Sequence, residues 1–120
     1  MKVHFYSFSN GDKLDYISDL KYVNGMYEFD DKSDENTKIK FKITEDKKLI
    51  FNRFGNTITN ILFDPENLTL AHYENNMGLD FNFTVKTTRL ELSESKIIVE
   101  YDFYIDGQFQ DSIKIYLLLK

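Results

Sequence analysis

The chain has no cysteine, a single proline and only two histidines among its 120 residues. Without thiols it can form neither a disulfide nor a thiolate-bound metal site. His4 and His72 are the whole supply of imidazole, and they fall in separate segments with no nucleophile patterned beside them, so histidine-based catalysis is not expected. No glycine-rich phosphate loop, zinc spacing or nucleophile elbow occurs, and the chain reads as a non-enzyme without a cofactor. Positive charge is also scarce: 15 basic against 20 acidic side chains leave a net charge of −5. Nucleic-acid binding needs clustered Lys and Arg, and this balance opposes it. No apolar run approaches the roughly 20 residues of a membrane helix, and the start lacks the apolar core of a secretory signal. A cytoplasmic protein without a membrane partner is the expectation.

What is abundant is aromatic: eleven Phe and eight Tyr, a composition that suits strands. The strongest pattern lies between Gly78 and Lys120. Leu79, Phe81, Phe83 and Val85 alternate with polar residues; Ile97, Val99, Tyr101, Phe103 and Ile105, and then Ile113, Ile115, Leu117 and Leu119, alternate with mostly polar ones. Period two over such lengths means strands with one buried face. Parity adds detail. The inward set changes from odd to even between Val85 and Leu90, so one residue must be absorbed, and a β-bulge is expected at Thr87-Thr88. The last two strands share odd inward positions. A two-residue Asp106-Gly107 turn would pair Val99 with Lys114, so a three-residue Ile105-Asp106-Gly107 loop is expected, with Val99 facing Ile113.

Earlier segments follow the same grammar. Lys2–Phe8 is a first strand whose buried face the pattern leaves open. In the second, Leu14, Tyr16, Ser18, Leu20 and Tyr22 share a face. Asn24-Gly25 is the preferred pair for a type I′ hairpin, which sets Tyr22 against Tyr27, Lys21 against Glu28 and Leu20 against Phe29. Residues 30–36 form an acidic loop without the glycine and glutamate spacing of an EF-hand, so no calcium or other metal site is expected. Lys38, Lys40 and Lys42 read as a solvated face or a protected edge. Strands over Leu49–Phe54, Thr57–Phe63 and Leu68–Glu74 are separated by turns at Gly55-Asn56 and Asp64-Pro65. In the third of these, Leu68, Leu70 and His72 compete with Ala71 and Tyr73 for the inside. About ten strands in sequential hairpins predict an all-β domain over residues 1–120, a single antiparallel up-and-down β-barrel.

The order and spacing of Arg53-Phe54-Gly55, Phe63, Tyr73, Gly78, Thr87, Leu90, Val99-Glu100-Tyr101, Asp106-Gly107 and Ile113-x-Ile115 resemble the YwiB-like family of uncharacterised bacterial proteins. The resemblance spans residues 38–120 and, more loosely, the whole chain. It implies a calycin-type, lipocalin-like barrel and no established activity. The family pattern has a threonine where this chain has Asn75, which puts any site served by that threonine in doubt.

Two functional classes follow: a structural or protein-interaction module, or a small-molecule-binding barrel with a pocket at its mouth. The large inward residues Phe41, Phe51, Phe81, Phe83, Tyr101 and Phe103 favour a mostly filled barrel with at most a shallow mouth pocket, and hence the first class. Candidate ligand-binding residues are Arg53, Tyr73 and Thr87. Arg53 could hold a carboxylate or phosphate, or serve as a plug that caps carbonyls and stacks on a ring. Four apolar residues on outward positions of the last hairpin, Ile98, Tyr104, Tyr116 and Leu118, suggest a homodimer contact.

Overall fold

A computed structural model describes residues 1–120. Eleven strands run in chain order: β1 (Lys2–Ser9), β2 (Asp12–Asp19), β3 (Lys21–Val23), β4 (Met26–Asp30), β5 (Lys38–Ile43), β6 (Leu49–Phe54), β7 (Thr57–Phe63), β8 (Thr69–Asn75), β9 (Asp80–Leu92), β10 (Lys96–Ile105) and β11 (Gln108–Leu119). Each from β3 to β11 pairs antiparallel with the next. β11 then pairs with β1 and β1 with β2, giving the order β2-β1-β11-β10-β9-β8-β7-β6-β5-β4-β3. The two outermost strands are consecutive in the chain, joined only by Leu20. One segment therefore serves β1 with its first half and β4 with its second, and it closes the sheet into a nearly complete barrel. Buried Leu20 marks the crossing, its N–H donating to the Met1 carbonyl at 2.8 Å. Aromatic packing of Phe5 and Tyr16 on Phe29 fills the seam. Near-closure leaves only the outer edges of β2 and β3 unpaired, which limits the strand edge that could template aggregation. β5 is consequently an interior strand; its lysines lie on the wet face, where Lys38 and Lys40 approach Glu28.

The expected bulge lies where parity placed it. Glu100 pairs with Arg89 but Tyr101 pairs with Thr87, leaving Thr88 as the extra residue, its hydroxyl donating to the Glu100 carbonyl at 3.0 Å. The type I′ hairpin at Asn24-Gly25 also forms, with φ of 52° and 84° and Tyr22 against Tyr27. Its ladder stops at Lys21–Glu28, so Leu20 does not pair with Phe29, and Tyr22, on the outermost strand of the sheet, is 65% exposed.

The register of the last hairpin differs from the expected one by two residues. Asp106-Gly107 makes a two-residue turn, with φ of 51° and 77°, and Ile105 pairs with Gln108. The odd residue is absorbed by a bulge inside β11, between Phe109 and Asp111. Val99 then pairs with Ile115 and Ile97 with Leu117. A bulge and a longer loop satisfy parity equally, and the twist match of a primed turn selects the bulge.

Inward side chains fill one half of the barrel completely. Phe41, Phe63, Leu49, Val3, Ile97, Val99, Val85 and Leu117 are essentially inaccessible. In β8 the inside belongs to Ala71 and Tyr73, while Leu68 and Leu70 point outward and are exposed.

Candidate functional site

Following the strand directions, one end of the barrel gathers the turns at Asn10-Gly11, Gly55-Asn56, residues 76–79 and Asp106-Gly107, together with the 31–37 loop. At this end the interior is hollow. A cavity of about 440 Å³ is walled by Phe51, Phe81, Phe83, Tyr101 and Phe103, among others, and edged by Ser7, Ser9, Ser33 and Thr59. The expectation of a mostly filled barrel is corrected here. Five of the six large aromatics, Phe51, Phe81, Phe83, Tyr101 and Phe103, line the cavity, while Phe41 is buried in the filled half. They stand as a wall: Tyr73, Phe81, Phe83 and Phe103 pack successively at centroid distances of 5.1, 6.2 and 5.6 Å. Rings held by one another line a space without crossing it. A smaller groove of about 300 Å³ lies at the opposite end, lined by Tyr27, Ile43, Leu92 and Leu119 together with Lys47, Ser93 and Glu94.

Arg53 and Tyr73 both border the cavity, while Thr87 does not. Thr87 is buried beside Tyr101 at the bulge, its hydroxyl without a hydrogen-bond partner. Arg53 is neither free for a ligand anion nor a cap on carbonyls. Its Nη2 lies 2.6 Å from Oδ2 of Asp31, whose side chain is wholly buried. The acidic 31–37 loop supplies this partner by folding back on itself. The Asp31 carboxylate accepts the Ser33 N–H at 2.9 Å and the Ser33 hydroxyl at 2.5 Å. The Thr37 hydroxyl donates to Asp34 at 3.1 Å.

Gly55 explains why the loop can lie there. A Cβ at this position would sit 2.4 Å from the Asn36 carbonyl oxygen and 2.7 Å from the Thr37 Cα. Next to it, the Asn56 side chain donates to the Glu35 carbonyl at 3.0 Å. Arg53 and Gly55, two residues apart, thus hold the same loop by charge and by contact. Asn75 has a local task as well: its Oδ1 accepts the N–H groups of Met77 at 3.0 Å and Leu79 at 3.1 Å, shaping the β8–β9 turn at the rim.

The phenols around this pair stay neutral. Burial, and then the charge of Asp31, push the Tyr16 hydroxyl well above the ordinary tyrosine range. Burial does the same for Tyr101, with Arg53 acting against it and Asp111 adding to it. Asp111 accepts the Ser9 hydroxyl at 2.8 Å. Sequence reasoning missed Asp31, Tyr16 and Asp111. The acidic loop was visible as a charge run, but only the fold decides which of its carboxylates turns inward.

On the outer wall His72, Glu74 and Asp80 bring ligand-capable atoms within 4.8 Å of one another. His72 Nδ1 lies 2.8 Å from Asn82 Oδ1. That hydrogen bond, with the two acids, raises the imidazole pKa above its usual value.

The four outward residues of the last hairpin are largely covered by their own chain. Ile98 is 6% exposed and pairs with Tyr116, and Leu118 faces Lys96. The Tyr116 ring packs edge-on against Phe8 at 5.7 Å, and Tyr104 meets Phe109 at 5.8 Å.

The backbone is similar to a solved structure described as the crystal structure of ywiB protein from Bacillus subtilis. The TM-score is 0.64 at 15% identity, over 99% of this chain and 90% of that one. No curated protein matches the sequence. The family model described as "Domain of unknown function (DUF1934)" matches residues 14–117, and the chain belongs to that family.

Proposed function

We propose that this protein is a non-catalytic binding barrel that takes a small molecule into its open end. One observation carries the reading: the open end of the barrel holds a cavity of about 440 Å³ walled mainly by apolar and aromatic side chains. Ligand pockets of roughly 300–1,000 Å³, mostly apolar with a few placed polar groups, have this character. The lining contains neither histidine nor cysteine, and its one charged side chain, Arg53, is ion-paired, which supports a binding role over a catalytic one. The opposing reading, a structural or interaction module, has in its favour exposed Leu68, just before β8, and Leu70 on it. A homodimer through Ile98, Tyr104, Tyr116 and Leu118 is compatible with either reading, although this face buries much of itself within one chain.

Native mass spectrometry of the protein purified from its own host tests the proposal. A retained small molecule, released on denaturation and absent from a cavity-filling Ser7→Phe variant, is the expected result. A bare polypeptide mass that no added apolar ligand shifts would favour the module.

A further inference from the structure

We infer that the ligand of this cavity is an uncharged, ring-bearing molecule with a hydrogen-bond acceptor, and that the Arg53–Asp31 pair excludes anions. The inference rests on the binding reading above and adds the chemical class. A lone arginine in an aromatic pocket would ordinarily mark a carboxylate or phosphate site. Here its charge is already matched at 2.6 Å by a carboxylate with no exposure.

A ligand anion would have to lie beside Asp31 or displace it. Displacement would break the two bonds from Ser33 and lift a loop that is pressed onto Gly55. The remaining charge near the lining is also negative. Besides Arg53, the charge acting on Tyr101, which lines the cavity, is that of Asp111. A cation fares little better, since no unpaired acid is among the lining residues to replace its lost water.

A neutral ring avoids both penalties. Four aromatic residues, Tyr73, Phe81, Phe83 and Phe103, offer it a packed wall. A guanidinium carries five N–H donors, and Arg53, with its side chain 31% exposed, keeps donors free after pairing with Asp31. The hydroxyls of Ser7, Ser9, Ser33 and Thr59 add neutral polar contacts at the rim.

Two fluorescent probes with one ring frame separate the possibilities: neutral N-phenyl-1-naphthylamine, and 1-anilinonaphthalene-8-sulfonate, which adds an anionic group. For the unmodified protein the neutral probe should bind at least ten-fold tighter, and Ser7→Phe should abolish its binding. Asp31→Asn, which leaves Arg53 unmatched, should narrow that preference or reverse it by tightening the sulfonate. The comparison on the unmodified protein decides the matter even if Asp31→Asn fails to fold. Equal or tighter binding of the sulfonate would overturn the inference while leaving the binding barrel standing. Tighter binding of a quaternary-ammonium derivative of the frame would do the same. Binding of neither probe, or neutral-probe binding untouched by Ser7→Phe, would count against the cavity as a ligand site and remove both.

Discussion

The two ends of this barrel are built from the same alternating strands, yet one is solid and the other hollow. At the solid end, Phe63, Leu49, Ile97 and Leu117 are inaccessible. At the hollow end, Phe81 and Phe103 keep part of their surface open to the cavity. The number of aromatics does not explain the contrast. Phe41 and Phe63 are fully buried in the solid half, whereas the rings at the mouth stack along the wall of a cavity that Ser7 and Ser9 of β1 also line. Small residues among large ones leave a space that the rings do not close. An inward-facing pattern therefore specifies a barrel, while the sizes of residues several strands apart specify whether it is filled.

This contrast can be broken by mutation. Phe63→Ala should cost about 3–5 kcal/mol, because it opens a void in a fully packed site. Phe103→Ala, which enlarges an existing cavity, should cost well under half of that in denaturant unfolding. Equal losses would mean that the mouth is as tightly packed as the base.

The ion pair at the mouth is the next test. Arg53→Met alone should cost about 3 kcal/mol, since it leaves the buried Asp31 charge without its partner. Replacing both residues, as Arg53→Met with Asp31→Leu, should recover most of that loss. A double variant no more stable than the single one would assign the penalty to lost packing instead.

Gly55→Ala should cost about 1–3 kcal/mol, because its Cβ would collide with backbone of the 31–37 loop. Faster amide exchange in residues 31–37 should accompany it. Gly107→Val, at φ of 77° with open space around it, strains only the turn and should cost about 1–2 kcal/mol. A loss at Gly55 no greater than that at Gly107 would mean that the loop yields easily.

The smallest expected effect lies outside the cavity altogether. The His72 pKa is raised in the fold by its bond to Asn82 and by Glu74 and Asp80. A group with a raised folded pKa contributes its full stability below its unfolded value, near 6.5, and loses it as pH rises through the folded value. His72→Gln should therefore flatten the decline of the denaturation midpoint above about pH 6.5, while probe binding stays unchanged. NMR titration of His72 showing an ordinary midpoint would remove this effect.

Much of the fold was legible in the chain because strand arguments depend on period and parity, which a sequence displays directly. The all-β class, the sequential antiparallel order, the Asn24-Gly25 turn and the Thr88 bulge all followed from counting. The final hairpin shows where counting ends. Parity required one extra residue between Val99 and Ile115, but loop and bulge are equal under parity, and the twist at Asp106-Gly107 decided between them. The face of β8 was undecidable for a related reason: Leu68 and Leu70 are more apolar than Thr69 and Ala71, yet they lie outside.

The site was less legible than the fold. Arg53 was conspicuous as a charge among inward residues, and Gly55 beside it as a turn. Nothing local distinguishes Asp31 from Asp30 or Asp34, its neighbours in an acidic loop. Only when β4 and β6 are placed on either side of β5 does Asp31 come within 2.6 Å of Arg53. The sequence by itself determined the alternating strands and most of their turns, because burial of alternate residues is a property of each strand alone. Tertiary structure decided that the barrel is hollow at one end and that its one inward cation is neutralised, because both depend on side chains distant in the chain meeting across the interior.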